Sequence, residues 1–330
     1  MLLLPRPPVG AVCLPFAVAA IDSQEVELAI TDAPPLPGPG ARETMSELPR
    51  MPHLALSCGG TGGHFYPGLT IASEYQRAGG QVTLFIGGRH AAEQLRVAAN
   101  AGLPAVPAPA EAVGTGKLRY LHLAARLPRA ILQARHALRA AGVQATLCMG
   151  SYAGFPIGLA AKSLGLPLYL HEGNAIIGEA NRRLSGLARC LYLTLPPLHE
   201  PRRPSQQPLV GMPLRQAIIA AASEPLPPAA RLVALEARGL DPRLPVLLVF
   251  GGSQGAQVLN ARLPEAVISL PPSARQFQVC HLTGQEDNTA IIAAWRRAGV
   301  PAQVWPRDPA IHELYQLATW VVCRAGAASI

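Results

Sequence analysis

Paired cysteines, membrane-length apolar runs, standard nucleotide fingerprints and, over one long stretch, acidic residues are what this sequence lacks. The six cysteines, Cys13, Cys58, Cys148, Cys190, Cys280 and Cys323, form no CxxC pair. That argues against a zinc ribbon or a dithiol redox pair. Cys58, Cys148, Cys280 and Cys323 lie in or at the ends of apolar runs, as reduced core residues of a cytosolic protein do. No segment reaches the ~18–20 uninterrupted apolar residues of a membrane-spanning helix. The glycine-rich loops are not GxGxxG and carry no Walker Lys-Ser/Thr pair, which weakens a dinucleotide or P-loop reading. Aromatic residues make up only 5%. The net charge of +8 is therefore not interleaved with stacking side chains, and no nucleic-acid partner is expected. A basic domain facing a membrane or a pyrophosphate substrate fits that charge.

What is present is regular alternation. The chain has 330 residues, 31 Gly and 34 Pro, enough for two domains of short elements joined by many turns. Residues 9–21 are apolar around Pro15, a poor signal peptide, and Ala33–Gly40 is proline-rich. Met45 opens a more ordinary start. Residues 1–50 are expected to be a disordered extension or a mis-assigned start, with a targeting segment as the alternative. From position 53, strands are expected at 53–58, 81–86, 145–149, 167–171 and 189–194. Helices are expected at 66–78, 90–101, 118–140, 156–164 and 177–187. That order predicts a doubly wound parallel sheet. The proline-rich 196–209 reads as a linker after a first domain over 51–195. A second α/β pattern fills 210–330, with strands at 244–250, 276–282, 302–305 and 319–323 and a helix over 254–263. The chain stops after a strand and a turn, so the second domain is expected to be incomplete.

Each domain carries a glycine loop after its first strand: Gly59-Gly60-Thr61-Gly62-Gly63-His64 and Gly251-Gly252-Ser253-Gln254-Gly255. Such loops bring backbone close to an anion or a sugar, and the following helix offers free N–H donors. A glycine loop alone is equally compatible with a tight turn.

The first loop, read on through Phe65-Tyr66-Pro67, resembles the opening motif of the MurG-type N-acetylglucosaminyltransferases, glycosyltransferase family 28. The resemblance continues in order. It runs through Gly150-Ser151-Tyr152, Pro156 and Ala160-Ala161-Lys162, then His171-Glu172-Gly173-Asn174 with Gly178 and Asn181-Arg182. It goes on through Gly211-Met212-Pro213-Leu214-Arg215, the loop 251–256 with Asn260, and Arg324-Ala325-Gly326-Ala327. It covers about residues 52–330. Gly173 stands where the family has Gln, and Met212 where it has Asn.

The resemblance implies a GT-B fold of two Rossmann-like domains. It implies inverting transfer of N-acetylglucosamine from UDP-N-acetylglucosamine to the muramyl 4-hydroxyl of lipid I, undecaprenyl-pyrophosphoryl-N-acetylmuramyl-pentapeptide, to give lipid II. No metal and no other cofactor is implied. Inversion needs a base for the acceptor hydroxyl and neutralisation of the leaving diphosphate. His64 is the candidate base; the alternative is that it only hydrogen-bonds the loop or the acceptor diphosphate. Thr61, Gly62 and Gly63 would approach the donor sugar and acceptor, and Asn174 the sugar or its phosphate. Arg215, Ser253, Gln254 and Gly255 would hold the UDP diphosphate, with a plain surface charge as the alternative for Arg215. His171 and Glu172 are open between ligand contact and loop support. The family's acidic ribose ligand falls beyond the last residue, so these 330 residues alone are expected to bind donor poorly.

Ala112 to His171 contains no Asp or Glu but has Lys117, Arg119, Arg126, Arg129, Arg135, Arg139 and Lys162. Leu118, Leu121, Leu123, Leu127, Ile131 and Leu132 supply apolar surface beside them. A segment of this kind can lie on the anionic lipids of the cytoplasmic face of the inner membrane, where the family's first domain docks. A solvated helix face is the alternative. Two further functions stay open: a same-fold transferase or UDP-N-acetylglucosamine epimerase with another acceptor, and a truncated, non-catalytic membrane-binding relative.

Overall fold

The computed structural model describes residues 51–88, 90–109, 119–199, 206–252, 255–324 and 326, with 119–125 described in backbone alone. Residues 1–50, expected to be an extension or a mis-assigned start, lie outside the described residues. Two parallel sheets alternate with helices, as a doubly wound α/β chain requires.

The first sheet holds β1 (Leu54–Gly59), β2 (Val82–Gly87), β3 (Ala105–Pro107), β4 (Ala145–Cys148), β5 (Leu168–Glu172) and β6 (Cys190–Leu193), in the order β3-β2-β1-β4-β5-β6. Along β1, Leu54, Leu56 and Cys58 face one apolar layer and Ala55 the other. Burial on both faces is why this strand reads as a continuous apolar run rather than an alternating one. The strand order reverses between β1 and β4, so the loops after these two strands diverge and leave room for a ligand at their carboxyl ends.

The helices of this lobe are α1 (Gly62–Arg77), α2 (Ala91–Asn100), α3 (Arg119–Ala140), α4 (Ser151–Ser163) and α5 (Glu179–Leu184). Two of them begin earlier than their sequence suggests. α1 starts at Gly62 rather than 66, and α4 at Ser151 rather than 156. Pro67 and Pro156 lie inside them. A proline there forfeits one intrahelical hydrogen bond, but burial of Phe65 in one helix and of Ala153 in the other holds the first turns in place. β3 is an additional strand, three residues long with a proline before it and one at its end. It lies on the sheet edge, the place a sheet tolerates proline.

The second sheet holds β7 (Val246–Phe250), β8 (Gln278–Leu282), β9 (Ala302–Trp305) and β10 (Trp320–Cys323), ordered β10-β7-β8-β9. Around it lie α6 (Gln216–Ser223), α7 (Pro228–Ala237), α8 (Gln257–Ile268), α9 (Thr289–Ala298) and α10 (Ile311–Leu317). Residues 206–210 run parallel to β6: Leu191 N donates to Gln206 O, Leu193 N to Pro208 O and Val210 N to Leu193 O. Beyond Gly211 the chain joins the second lobe, where Gln316 Nε2 caps the end of α6 by donating to Ala221 O and Glu224 O.

Cys58, Cys148, Cys190 and Cys280 are free and buried, and Cys323 is free and half-buried. Burial pushes the Cys58 and Cys148 thiols up to about 12, which leaves them unreactive. Arg275 ties together the ends of α8 and α9 by donating to Ile268 O, Leu270 O and Ala298 O. Arg275→Ala removes the donors for these terminal carbonyls. It should lower stability by about 1–2 kcal/mol, read as a shift of the urea midpoint with unchanged slope.

Candidate active site

The site is built where β1 and β4 end. A Cβ on Gly59 would lie 2.5 Å from Gly87 O, so only glycine lets the two strand ends meet, and its φ of +124° forbids most other residues. The turn delivers Thr61, in extended conformation, to the start of α1. Thr61 O accepts from the backbone N–H of His64 and of Phe65. The Thr61 hydroxyl and His64 Nδ1 are 2.9 Å apart. The i,i+3 spacing within one helical turn brings these two side chains together.

On its other edge the imidazole lies against the loop after β4. The Cδ2 and Nε2 atoms of His64 stand 3.2 and 3.3 Å from where a Cβ on Gly150 would be. The next residue, Ser151, has φ of +65°. A non-glycine residue in this region costs on the order of 1–2 kcal/mol, so the loop is held in shape by its surroundings. Among the described residues, the Ser151 hydroxyl oxygen and Asn181 Oδ1 are buried without a hydrogen-bond partner.

Glu172 organises the neighbouring loop. It is 3% exposed and accepts four hydrogen bonds. Asn174 N and Asn174 Nδ2 donate to Oε1, while Gly178 N and Asn181 Nδ2 donate to Oε2. A buried carboxylate is tolerated only when satisfied in this way. Asn181 Nδ2 also donates to His171 O. His171, buried, lies 3.3 Å through Nε2 from the Thr194 hydroxyl, which donates to Gly211 O. Glu172 thus supports the loop that presents Asn174, and His171 ties that loop to the crossover into the second lobe. Burial lowers the pKa of His64, and the Glu172 charge partly opposes that shift. Burial lowers His171 likewise.

The expected residues therefore divide into groups. Thr61 stands at the N-cap of α1, Gly62, Gly63 and His64 form its first turn, and Glu172 holds Asn174 in the loop after β5. Arg215 precedes α6 and reaches the same helix: its guanidinium carbon lies 5.3 Å from the Tyr66 ring centroid, and it donates to Pro309 O. This is more than a plain surface charge would do. Gln216 Nε2 donating to Glu74 and the Arg307–Glu93 ion pair join the lobes nearby. Gly255 sits at the other glycine loop, with Thr283 and Gly284 as its neighbours. Ser253 and Gln254 lie outside the described residues. Gly173 and Met212 face each other: the Met212 methyl is 3.4 Å from where a Cβ on Gly173 would be, so a longer side chain at 173 would displace it.

In α3, Ile131 packs inward against the core, and Arg135 is bound to Ser163, so neither is free for an outer surface. Arg126, Arg129, Leu132 and Arg139 are exposed. Lys117 and Leu118 lie outside the described residues, as do the side chains of Arg119, Leu121 and Leu123. No described helix is long and apolar enough to cross a membrane.

Two Rossmann-like lobes, each with a glycine loop after the first strand of its sheet, are the architecture of the GT-B fold. Residues 54–193 match the glycosyltransferase family 28 N-terminal domain, and residues 246–330 match its C-terminal domain. The UDP-N-acetylglucosamine–N-acetylmuramyl-(pentapeptide) pyrophosphoryl-undecaprenol N-acetylglucosamine transferase of Acidithiobacillus ferrooxidans is 37% identical, over 84% of this chain and 72% of its own length. That of Trichlorobacter lovleyi is 32% identical, over 84% and 74%. The crystal structure of Acinetobacter baumannii MurG superposes with a TM-score of 0.58 at 27% identity, covering 85% of this chain and 75% of that one. A UDP-GlcNAc 2-epimerase of Neisseria meningitidis, at 13% identity and a TM-score of 0.57, shares the fold alone. The chain belongs to glycosyltransferase family 28, among its MurG-type members.

The Glu172 charge raises the His64 pKa against burial, so its removal should send that pKa lower still. Glu172→Gln is expected to move the acidic limb of the pH–rate profile downward. It should also cost about 1–3 kcal/mol of stability, because a Gln amide cannot accept all four hydrogen bonds. An unmoved limb would separate His64 from the rate.

Proposed function

We propose that this chain transfers N-acetylglucosamine from UDP-N-acetylglucosamine to the 4-hydroxyl of the muramyl sugar of lipid I, forming lipid II for the peptidoglycan wall. The observation that carries this reading is His64 itself. It is a half-buried imidazole at the opening of α1, set between Thr61 and Gly150, in a chain whose MurG-type relatives are named for this transfer.

The chemistry follows from that placement. The transfer is one in-line displacement at the anomeric carbon: the acceptor oxygen attacks, UDP leaves from the opposite face, and the configuration inverts. With His64 Nδ1–H donating to the Thr61 hydroxyl, Nε2 carries the lone pair and takes the proton of the acceptor hydroxyl. The lowered pKa keeps the imidazole in the neutral form that can accept it. The acceptor diphosphate finds the N-termini of α1 and α4, the positive ends of their dipoles, which favour an anion. The leaving diphosphate falls to Arg215 and to the backbone of the second glycine loop, with Ser253 and Gln254 as further donors. Arg215 turns from Pro309 O to the diphosphate while keeping the Tyr66 ring beneath it. Asn174, fixed by Glu172, orients the donor sugar.

Lipid I is confined to a membrane surface. The exposed Arg126, Arg129 and Arg139 with Leu132 on α3 fit an anionic leaflet, at about 1 kcal/mol per basic residue near the surface. We place the enzyme as a peripheral protein on the cytoplasmic face of the inner membrane.

The test is transfer of labelled N-acetylglucosamine to a lipid I analogue. His64→Ala should lower kcat by about 10²–10⁴-fold and leave UDP affinity unchanged. Wild-type turnover in that variant would remove His64 as the base. Arg215→Ala should weaken UDP binding by about 10–100-fold. Undiminished UDP binding would assign the leaving group to other residues.

A further inference from the structure

Beneath the second glycine loop runs a buried polar chain that the mechanism above does not use. Trp295, 1% exposed on α9, donates its indole Nε1–H to His281 Nδ1 at 3.0 Å. His281, fully buried on β8, faces Asn260 Oδ1 with its Nε2 at 3.1 Å. Asn260 Nδ2 donates to Thr283 O at 3.0 Å. The Thr283 hydroxyl donates to Asn288 Oδ1 at 2.6 Å.

The indole donor fixes the protons from Trp295 to Asn260. An indole N–H can only donate, so His281 Nδ1 must accept. The single imidazole proton is therefore on Nε2 and points at Asn260 Oδ1. That in turn sets the Asn260 amide so that its nitrogen faces Thr283 O. A protonated imidazole would set two N–H groups against each other at Nδ1. Burial opposes that state as well, pushing His281 down to about 4. The chain has one arrangement, and it is the neutral one.

Its far end is the loop. A Cβ on Gly255 would lie 2.1 Å from Thr283 O, so the backbones of the loop and of the β8 end are in contact there. The same carbonyl receives the Asn260 amide. Asn260 N also donates to Ala256 O, closing the first turn of α8 directly after the loop. Asn260 therefore staples the start of α8 to the end of β8, with Gly255 held against the same carbonyl. Its side chain is itself aimed by His281 and Trp295.

We infer that His281 is a positioning residue for donor binding: with Trp295 behind it and Asn260 in front, it fixes the backbone at Gly255 and the start of α8, where the UDP diphosphate is received. This rests on the reading that the loop holds the donor. His281 touches no substrate and transfers no proton; it acts through Asn260 and Thr283. Relaxing the chain leaves the acceptor half of the site, on the other sheet, untouched.

The first measurement uses Trp295→Phe, which keeps a ring in the core and deletes the indole donor. The expected result is a UDP dissociation constant and a donor KM raised about two- to tenfold, the worth of one buried hydrogen bond, with the acceptor KM unchanged. A residue that merely supports the fold would shift the melting temperature without splitting the two KM values. The second measurement needs no substitution in the chain of hydrogen bonds. Coupling is reciprocal, so saturating UDP should slow solvent exchange of the Trp295 indole N–H by a similar factor. Its signal, one of three indoles, is assigned by elimination from Trp305→Phe and Trp320→Phe. Unchanged UDP affinity in a folded Trp295→Phe, or unchanged indole exchange in a chain that binds UDP, overturns the inference. A chain that binds no UDP at all overturns the donor reading itself, and this inference with it.

Discussion

Backbone touches backbone at the carboxyl ends of both sheets, closer than any Cβ allows. In the first lobe the contact is Gly59 against Gly87 O, and in the second it is Gly255 against Thr283 O. In the first lobe the strand turns into a helix within two residues, and in the second within six, and in both a glycine lets the turn stay against the end of the neighbouring strand. Everything in the site inherits its position from these contacts. The first puts Thr61 at the head of α1 and so aims His64 at Gly150. The second sets the loop before α8. Because packed cores do not deform continuously, a side chain forced in at either glycine would move a whole helix start rather than one atom.

Much of this arrangement was legible in the sequence, for identifiable reasons. Strands buried on both faces announce themselves as short apolar runs, so β1 and β7 fall within a residue or two of where Leu54–Cys58 and Leu244–Phe250 place them. Thr61 and His64 are three residues apart ahead of a helix, and such spacing survives into geometry. The helix starts were less legible. Pro67 and Pro156 suggest later openings, and only the burial of Phe65 and Ala153 shows why the helices begin earlier. β3 is hidden by its two prolines. The proline-rich 196–209 looks like a free linker, yet its end pairs with β6 through Gln206 and Pro208. That pairing depends on backbone groups, which the sequence does not display.

Relations across the sheet were the least legible. His281, Asn260 and Trp295 lie 14 to 35 positions apart; Asn260 stands in the second-loop motif but nothing in the sequence joins it to His281 and Trp295, which only the packing of α8 and α9 on β8 brings into line. Glu172 stands in a recognisable motif, but its four donors come from a loop whose path the sequence does not specify. Gly173 and Met212 illustrate the same point. They look like two unconnected departures from the family pattern. In the structure they are one contact, in which the methionine fills space beside a residue with no side chain. A change at either position therefore has to be judged with the other in place.

The two lobes use histidine in opposite ways, and the difference is electrostatic. His64 and His281 are both pushed down by burial. His64 has the Glu172 carboxylate within range, which partly opposes the lowering by burial, and it lies in the first turn of α1. Burial acts on His281 without such a counterweight, and its two nitrogens are committed to Trp295 and Asn260. A group that is to exchange a proton during turnover must have two accessible charge states of similar free energy. A group that is to hold a loop in one shape must have only one. On the proposed function, proton transfer is thereby confined to the lobe of His64, while the lobe assigned to the donor stays fixed in charge as the diphosphate arrives and leaves.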